Sequence, residues 1–231
     1  MWANENEMDI IIHVHFNDYP GRRKQKPKYS GFAIYVPEDQ YSNAKGSKSV
    51  AESIYKRLSN FYPQSNLPKE DLGIVEDQEL IAVGSYNTLD AAAMLIEYGY
   101  IYEPLFSDPE IRSVALTDLA LQTYLGIMDF FGKETTGARE HDTHFLPHTW
   151  QVDLKRSSKK SLDVASLQAV LVSEGLYPPS GEDKNDCALT GYFGPCTEKS
   201  VKAFQQKHGI FPAEGFVGRQ TRTKLHELYG I

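Results

Sequence analysis

Gly191-Tyr-Phe-Gly194-Pro-Cys-Thr197, followed by Val201 and Phe204, is answered by Gly215-Phe-Val-Gly218-Arg-Gln-Thr221, followed by Leu225 and Leu228. The shared pattern is glycine, aromatic, apolar, glycine, two free positions, threonine, then apolar residues four and seven positions on. Repetition at a fixed offset marks one structural unit used twice. Two glycines permit a tight loop with unusual backbone angles. The threonine is expected to cap a helix by accepting a backbone N–H with its hydroxyl. The apolar residues that follow fall on one helix face. Gly209 and Gly230 are expected to end the two helices as left-handed residues.

A third helix is predicted ahead of these, from Leu162 to Glu174, with Val164, Leu167, Val170 and Leu171 on one face and Gly175 at its end. It shares a smaller echo with the next helix: Leu167-Gln168 then Gly175-Leu176, against Phe204-Gln205 then Gly209-Ile210. Three short helices in about seventy residues lie near the lower size limit for independent folding. The segment 161–231 resembles the peptidoglycan-binding domain found at the ends of many bacterial wall hydrolases. The residues that carry the resemblance run from Ser166-Leu-Gln168 through both glycine loops to Thr221 and Leu225. It implies a small all-α three-helix fold and a peptidoglycan partner. The shared residues are packing and turn residues, so they single out no wall contact.

The chain has 231 residues and a net charge of −7, room for two modest domains. The acidic balance argues against a nucleic-acid partner, which usually selects a basic face. The run Arg22-Arg23-Lys24-Gln25-Lys26-Pro27-Lys28 reads as a solvated loop, or alternatively as a contact for phosphate or wall polymer. No stretch is apolar for long enough to span a membrane. Met1-Trp-Ala-Asn-Glu-Asn-Glu-Met-Asp9 lacks the basic start and apolar core of a signal peptide. For a wall-binding chain, the simplest expectation is therefore that its natural beginning is missing. The two cysteines, Cys187 and Cys196, flank the first glycine loop and read equally as a disulfide or as two free thiols.

The first 132 residues alternate strands and helices, an α/β pattern. Asp9-Ile-Ile-Ile-His-Val-His-Phe-Asn17 reads as a largely buried strand, and Gly31 to Val36 as a second. Val50, Ile54, Leu58 and Phe61 give a helix over Ser49–Phe61 its apolar face. Leu80 to Val83 and Ala92 to Glu97 read as further strands. Asp108-Pro109 opens a long helix that stops at Gly132. From 133 to 160 the periodicity is lost, which predicts a linker. Within it, His141, His144 and His148 read as part of a linker or docking segment, or alternatively as metal ligands.

Two strand ends carry polar groups that need a partner or a use. Alternation puts His13, His15 and Asn17 on one face. Glu97 ends the apolar run Met94-Leu-Ile96. Residues 9 to 131 resemble the C-terminal part of the zinc-dependent N-acetylmuramoyl-L-alanine amidases. The carrying stretches are Ile12-His-Val-His15-Phe-Asn17, Gly31-Phe-Ala-Ile-Tyr35, the helix with Val50-Ala51, and Ala92-Ala-Met-Leu-Ile-Glu97-Tyr-Gly99-Tyr-Ile101.

The resemblance implies that His15 is a zinc ligand and Glu97 the catalytic carboxylate, with His13 and Asn17 beside the ligand. The bond cut would join N-acetylmuramic acid to L-alanine of the stem peptide. The family takes a further His and a Glu from segments ahead of the His15 strand, so the α/β domain is expected to be incomplete at its N-terminus and to bind zinc weakly. The expected organisation is a partial amidase domain over 1–132, a linker over 133–160 and the peptidoglycan-binding domain over 161–231, in the cell envelope or secreted. The rival expectation is a non-catalytic peptidoglycan-binding or scaffold protein that keeps a degenerate amidase fold.

Overall fold

The computed structural model describes residues 2–18, 28–79, 90–133 and 142–230. Residues 22–27 of the basic run, the strand expected at Leu80–Val83, and His141 lie outside these residues. By contacts the chain divides into two units: 1–103 with 122–137, and 104–121 with 138–231.

The first unit opens with a short helix, α1 (Trp2–Glu5), and contains β1 (Ile10–Asn17), β2 (Ala33–Val36), α2 (Ala44–Phe61), β3 (Ile74–Glu76) and β4 (Ala92–Tyr100). The sheet order is β1-β4-β2-β3. β1 runs parallel to β4, β4 antiparallel to β2, and β2 parallel to β3. β3 has no counterpart among the expected strands; only three residues long, it gives no periodicity to read. The α2 face is the predicted one, with Val50, Ile54, Leu58 and Phe61 all buried.

β1 departs from expectation. It was expected to be largely buried, yet Val14 is 65% exposed. Among the described strands its hydrogen-bonded neighbour is β4 alone. β-Branched composition marks a strand but does not reveal its place in a sheet.

Two helices follow, α3 (Pro104–Ser107) and α4 (Pro109–Phe130). The Asp108 carboxylate accepts from the backbone N–H groups of Glu110 and Ile111, which caps α4 as predicted. Gly126 lets α4 lie tightly on α2: a Cβ there would meet the Ile54 Cα at 2.5 Å. None of the described helices is long and apolar enough to cross a membrane.

The second unit holds α5 (Leu162–Ser173), α6 (Pro195–Lys207) and α7 (Arg219–Tyr229). Val164, Leu167, Val170, Leu171, Val201, Phe204 and Leu225 form its core. Leu228, the counterpart of Phe204 in the second repeat, is 43% exposed instead. Cys187 and Cys196 are joined in a disulfide.

The threonines do not cap their helices. Gly194 and Gly218 occupy the cap positions without a side-chain bond, and Thr197 and Thr221 lie inside the first turn, buried. Each instead receives a glutamine from the preceding helix. Gln168 accepts from the N–H groups of Thr190 and Gly191 and donates to the Tyr192 carbonyl and the Thr197 hydroxyl. Gln205 repeats this: it accepts from Gly215 N–H and donates to the Phe216 carbonyl and the Thr221 hydroxyl. The echo at Gln168 and Gln205 is thus the working part of the repeat. Gly209 ends α6 at φ 68° as expected, whereas Gly230 sits at φ −76° and is not left-handed.

Phe145, Trp150 and Leu154 are buried within the stretch expected to be a linker, while residues 151–153 and 155–157 around them are exposed. Trp150 is 1% exposed, and its indole N–H donates to the Asp163 carbonyl. Leu154 bridges to Val217, and both are buried. Trp150, Phe145 and Leu154 are spaced without a helical or strand period, so their burial leaves no pattern in the sequence.

Candidate active site

The parallel register of β1 and β4 sets His15 directly beside Glu97, and His13 beside Leu95. The His15 Nδ1 lies 4.0 Å from the Glu97 Oε1; the imidazole is 51% exposed and the carboxylate 14%. The Glu97 Oε2 is buried without a hydrogen-bond partner. A carboxylate held this way stays protonated to higher pH, because burial opposes its charge. Burial, with the charge of Glu70 second, pushes Glu97 from 4.5 up to about 7. Burial, and then His15 nearby, hold His13 below its usual range.

A bulge between His15 and Asn17 breaks the alternation that was expected to align all three polar residues. Asn17 still turns to the site, where its Nδ2 lies 3.5 Å from the Glu70 Oε1. Tyr35 on β2, opposite Leu95, donates its hydroxyl to the same Glu70 oxygen. Burial and that bond hold the phenol far above its usual range, so it stays a neutral donor. Glu70 itself is 1% exposed, and its Oε2 has no partner. Sequence reading missed it: Leu67-Pro-Lys-Glu-Asp-Leu-Gly73 is a polar loop in which one acid looks like the next.

An imidazole beside an unpartnered buried carboxylate oxygen is donor chemistry suited to zinc. The count stops short, however. Among the described residues no group of three or more His, Cys, Asp or Glu is placed to hold a metal ion, and a catalytic zinc takes three protein ligands. In the second unit His148 hydrogen-bonds Asp163 at 2.7 Å, so that histidine has a structural partner.

One consequence concerns pH. Between about 4.5 and about 7 the folded state keeps a proton on Glu97 that the unfolded chain has released. Stability then falls as pH rises through that window. Glu97→Gln should flatten this part of the dependence, as read by urea midpoints at pH 4.5 and pH 7.5. An identical slope in the mutant would show that Glu97 titrates normally.

Fold and site together define a two-module chain: a mixed α/β unit with a histidine–carboxylate site, and a helical unit built on a glutamine-clamped repeat. Residues 1–108 match the family described as N-acetylmuramoyl-L-alanine amidase, and residues 160–225 the family described as putative peptidoglycan binding domain. Two separate segments of the chain thus match an amidase family and a peptidoglycan-binding family.

Over 75 residues it is 36% identical to the N-acetylmuramoyl-L-alanine amidase CwlL of Bacillus licheniformis; that stretch is 32% of this chain and 20% of CwlL, so the chain spans about a fifth of that relative. Among solved structures it is similar to the amidase Ami1 of Mycobacterium smegmatis, with 20% identity over 57% of each chain and a TM-score of 0.45. It is also similar to an N-acetylmuramoyl-L-alanine amidase of Clostridium difficile 630, with 18% identity over 58% of this chain and 63% of that one, and a TM-score of 0.39.

Proposed function

We propose that this protein is a peptidoglycan hydrolase that cleaves the amide bond between N-acetylmuramic acid and L-alanine of the stem peptide, and that its C-terminal unit holds it on the wall. The observation that carries the catalytic part is the buried, unpartnered Glu97 oxygen beside His15, within the segment matched to the amidase family. The proposed organisation is an amidase domain over 1–132 and a peptidoglycan-binding domain over 161–231; by contacts, residues 104–121 and 138–160 group with the latter. Its place of action is the cell envelope or its exterior.

His15 would hold a zinc ion, with His13 and Asn17 flanking it. When bound, zinc acidifies water and polarises an amide carbonyl. Glu97 takes a proton from the attacking water and returns it to the leaving amine, a task suited to an acid poised near neutral pH. Tyr35 remains protonated and keeps Glu70 in place. The non-catalytic alternative is not favoured, because it leaves the buried acid without a use.

Wall binding is directly testable. The full chain should sediment with purified peptidoglycan sacculi, through its second unit. A chain that stays in the supernatant while folded by circular dichroism would remove the binding half of this reading.

A further inference from the structure

Each clamped loop of the second unit carries an exposed aromatic residue, Tyr192 in the first repeat and Phe216 in the second, 51% and 37% exposed. In both, the buried glutamine donates to that residue's own carbonyl, Gln168 to Tyr192 and Gln205 to Phe216. The loops thus present large rings to solvent on fixed backbones, a feature that marks recognition surfaces. The surroundings of the two rings differ. Lys160 places its Nζ 5.3 Å from the centre of the Tyr192 ring, and it donates from there to the Pro104 carbonyl and the Ser107 hydroxyl. The same loop lies tight against α4: a Cβ on Gly191 would sit 2.6 Å from the Ile111 Cδ1.

The Phe216 loop instead borders a pocket of about 210 Å³. Ile210, Pro212 and Phe216 give it apolar lining, and Glu214, Arg219 and Gln220 bring a carboxylate, a guanidinium and an amide. The Phe216 ring lies close over Gly218, where a Cβ would meet its Cε1 at 2.7 Å. Among the described residues, neither Glu214 nor Arg219 has an ion-pair partner, and they do not pair with each other. Apolar lining with a few convergent polar groups is the usual make-up of a ligand site. We propose that this pocket is the wall-contact site of the second unit, and that it takes the peptide part of peptidoglycan: a short segment with a free carboxylate, an ammonium group and methyl side chains. Arg219 receives the carboxylate, Glu214 the ammonium group, and the methyl groups pack on Phe216, Pro212 and Ile210. A glycan strand offers rings and hydroxyls to Phe216 but not charges of both signs, so two opposite unpaired charges in one pocket favour the peptide. The inference deepens the wall-binding reading above and rests on it.

The test uses the full chain, purified sacculi and two soluble competitors: a stem tetrapeptide that contains a diamino acid, and a chitin tetrasaccharide. Phe216→Ala and Arg219→Glu should each weaken binding to sacculi by about tenfold, the loss expected for one anchoring contact. Tyr192→Ala, whose ring already lies under Lys160, should bind within about twofold of wild type. The tetrapeptide should displace the wild-type chain from sacculi and the tetrasaccharide should not. Arg219→Glu should keep the wild-type melting temperature by circular dichroism, since Arg219 holds no ion pair in the fold, so its loss of binding reads the pocket alone.

A folded Arg219→Glu chain that binds sacculi as tightly as wild type overturns the proposal. Displacement by the tetrasaccharide alone overturns the peptide as the occupant. A loss in Tyr192→Ala equal to that in Phe216→Ala overturns the assignment to the second repeat. These three outcomes leave wall binding itself standing. A folded wild-type chain that does not sediment with sacculi overturns the wall-binding reading, and this proposal with it.

Discussion

Gln168→Ala is expected to cost the second unit about 3 kcal/mol or more, since each buried group left without a partner costs roughly 1–3 kcal/mol. The side chain is fully buried and makes four hydrogen bonds, two to backbone N–H groups and one each to a carbonyl and the Thr197 hydroxyl. Alanine removes all four and leaves a cavity. Against a typical total of roughly 5–15 kcal/mol, this is a large fraction.

Gln205→Ala should act in the same way through its three bonds to the second loop. Its neighbour Gln206 is exposed on the same helix and serves as the control. Gln206→Ala should stay within about 0.5 kcal/mol of wild type. Urea unfolding followed by the fluorescence of buried Trp150 measures all three. Equal midpoints for Gln205→Ala and Gln206→Ala would show that the clamps contribute nothing.

The second large effect is catalytic. In a chimera that places the ligand-bearing N-terminal segment of a related amidase ahead of Met1, Glu97→Gln should keep the fold and the zinc but lower turnover of a muropeptide substrate by about a hundred- to ten-thousandfold. The substitution preserves shape and removes the proton acceptor. Were Glu97 only structural, its loss would appear in thermal melting and leave the rate intact. Turnover and melting measured on one preparation separate these outcomes. An unchanged rate in a folded protein would take Glu97 out of the mechanism.

The candidate site was half legible in the sequence. His15 and Glu97 stood out because each ends an apolar run, where a polar group needs a reason. Their pairing could only follow from the parallel register of β1 and β4, a contact between segments some eighty residues apart. Glu70 was invisible for the opposite reason, as an acid among polar neighbours. The fate of the glycine loops is similar. The repeat located the loops and helices correctly, yet it suggested threonine caps where the structure has glutamine clamps. A cap is a local interaction and suits local reading. A clamp joins one helix to the loop beyond it, and its partners lie about twenty-two residues apart for Gln168 and ten for Gln205.

The sequence by itself therefore determined the division into an α/β part and a helical repeat, the apolar faces of α2, α5 and α6, the Asp108 cap of α4, and the resemblance to the two families. All of these rest on periodicity, glycine placement or short-range chemistry, which the chain carries in its own order. Tertiary structure alone decided the exposure of Val14 on β1, the packing of Trp150 and Leu154 in the expected linker, the Cys187–Cys196 bond and the meeting of Glu70 with Tyr35 and Asn17. Burial and pairing at those positions depend on which distant segment arrives, and no local pattern encodes that arrival.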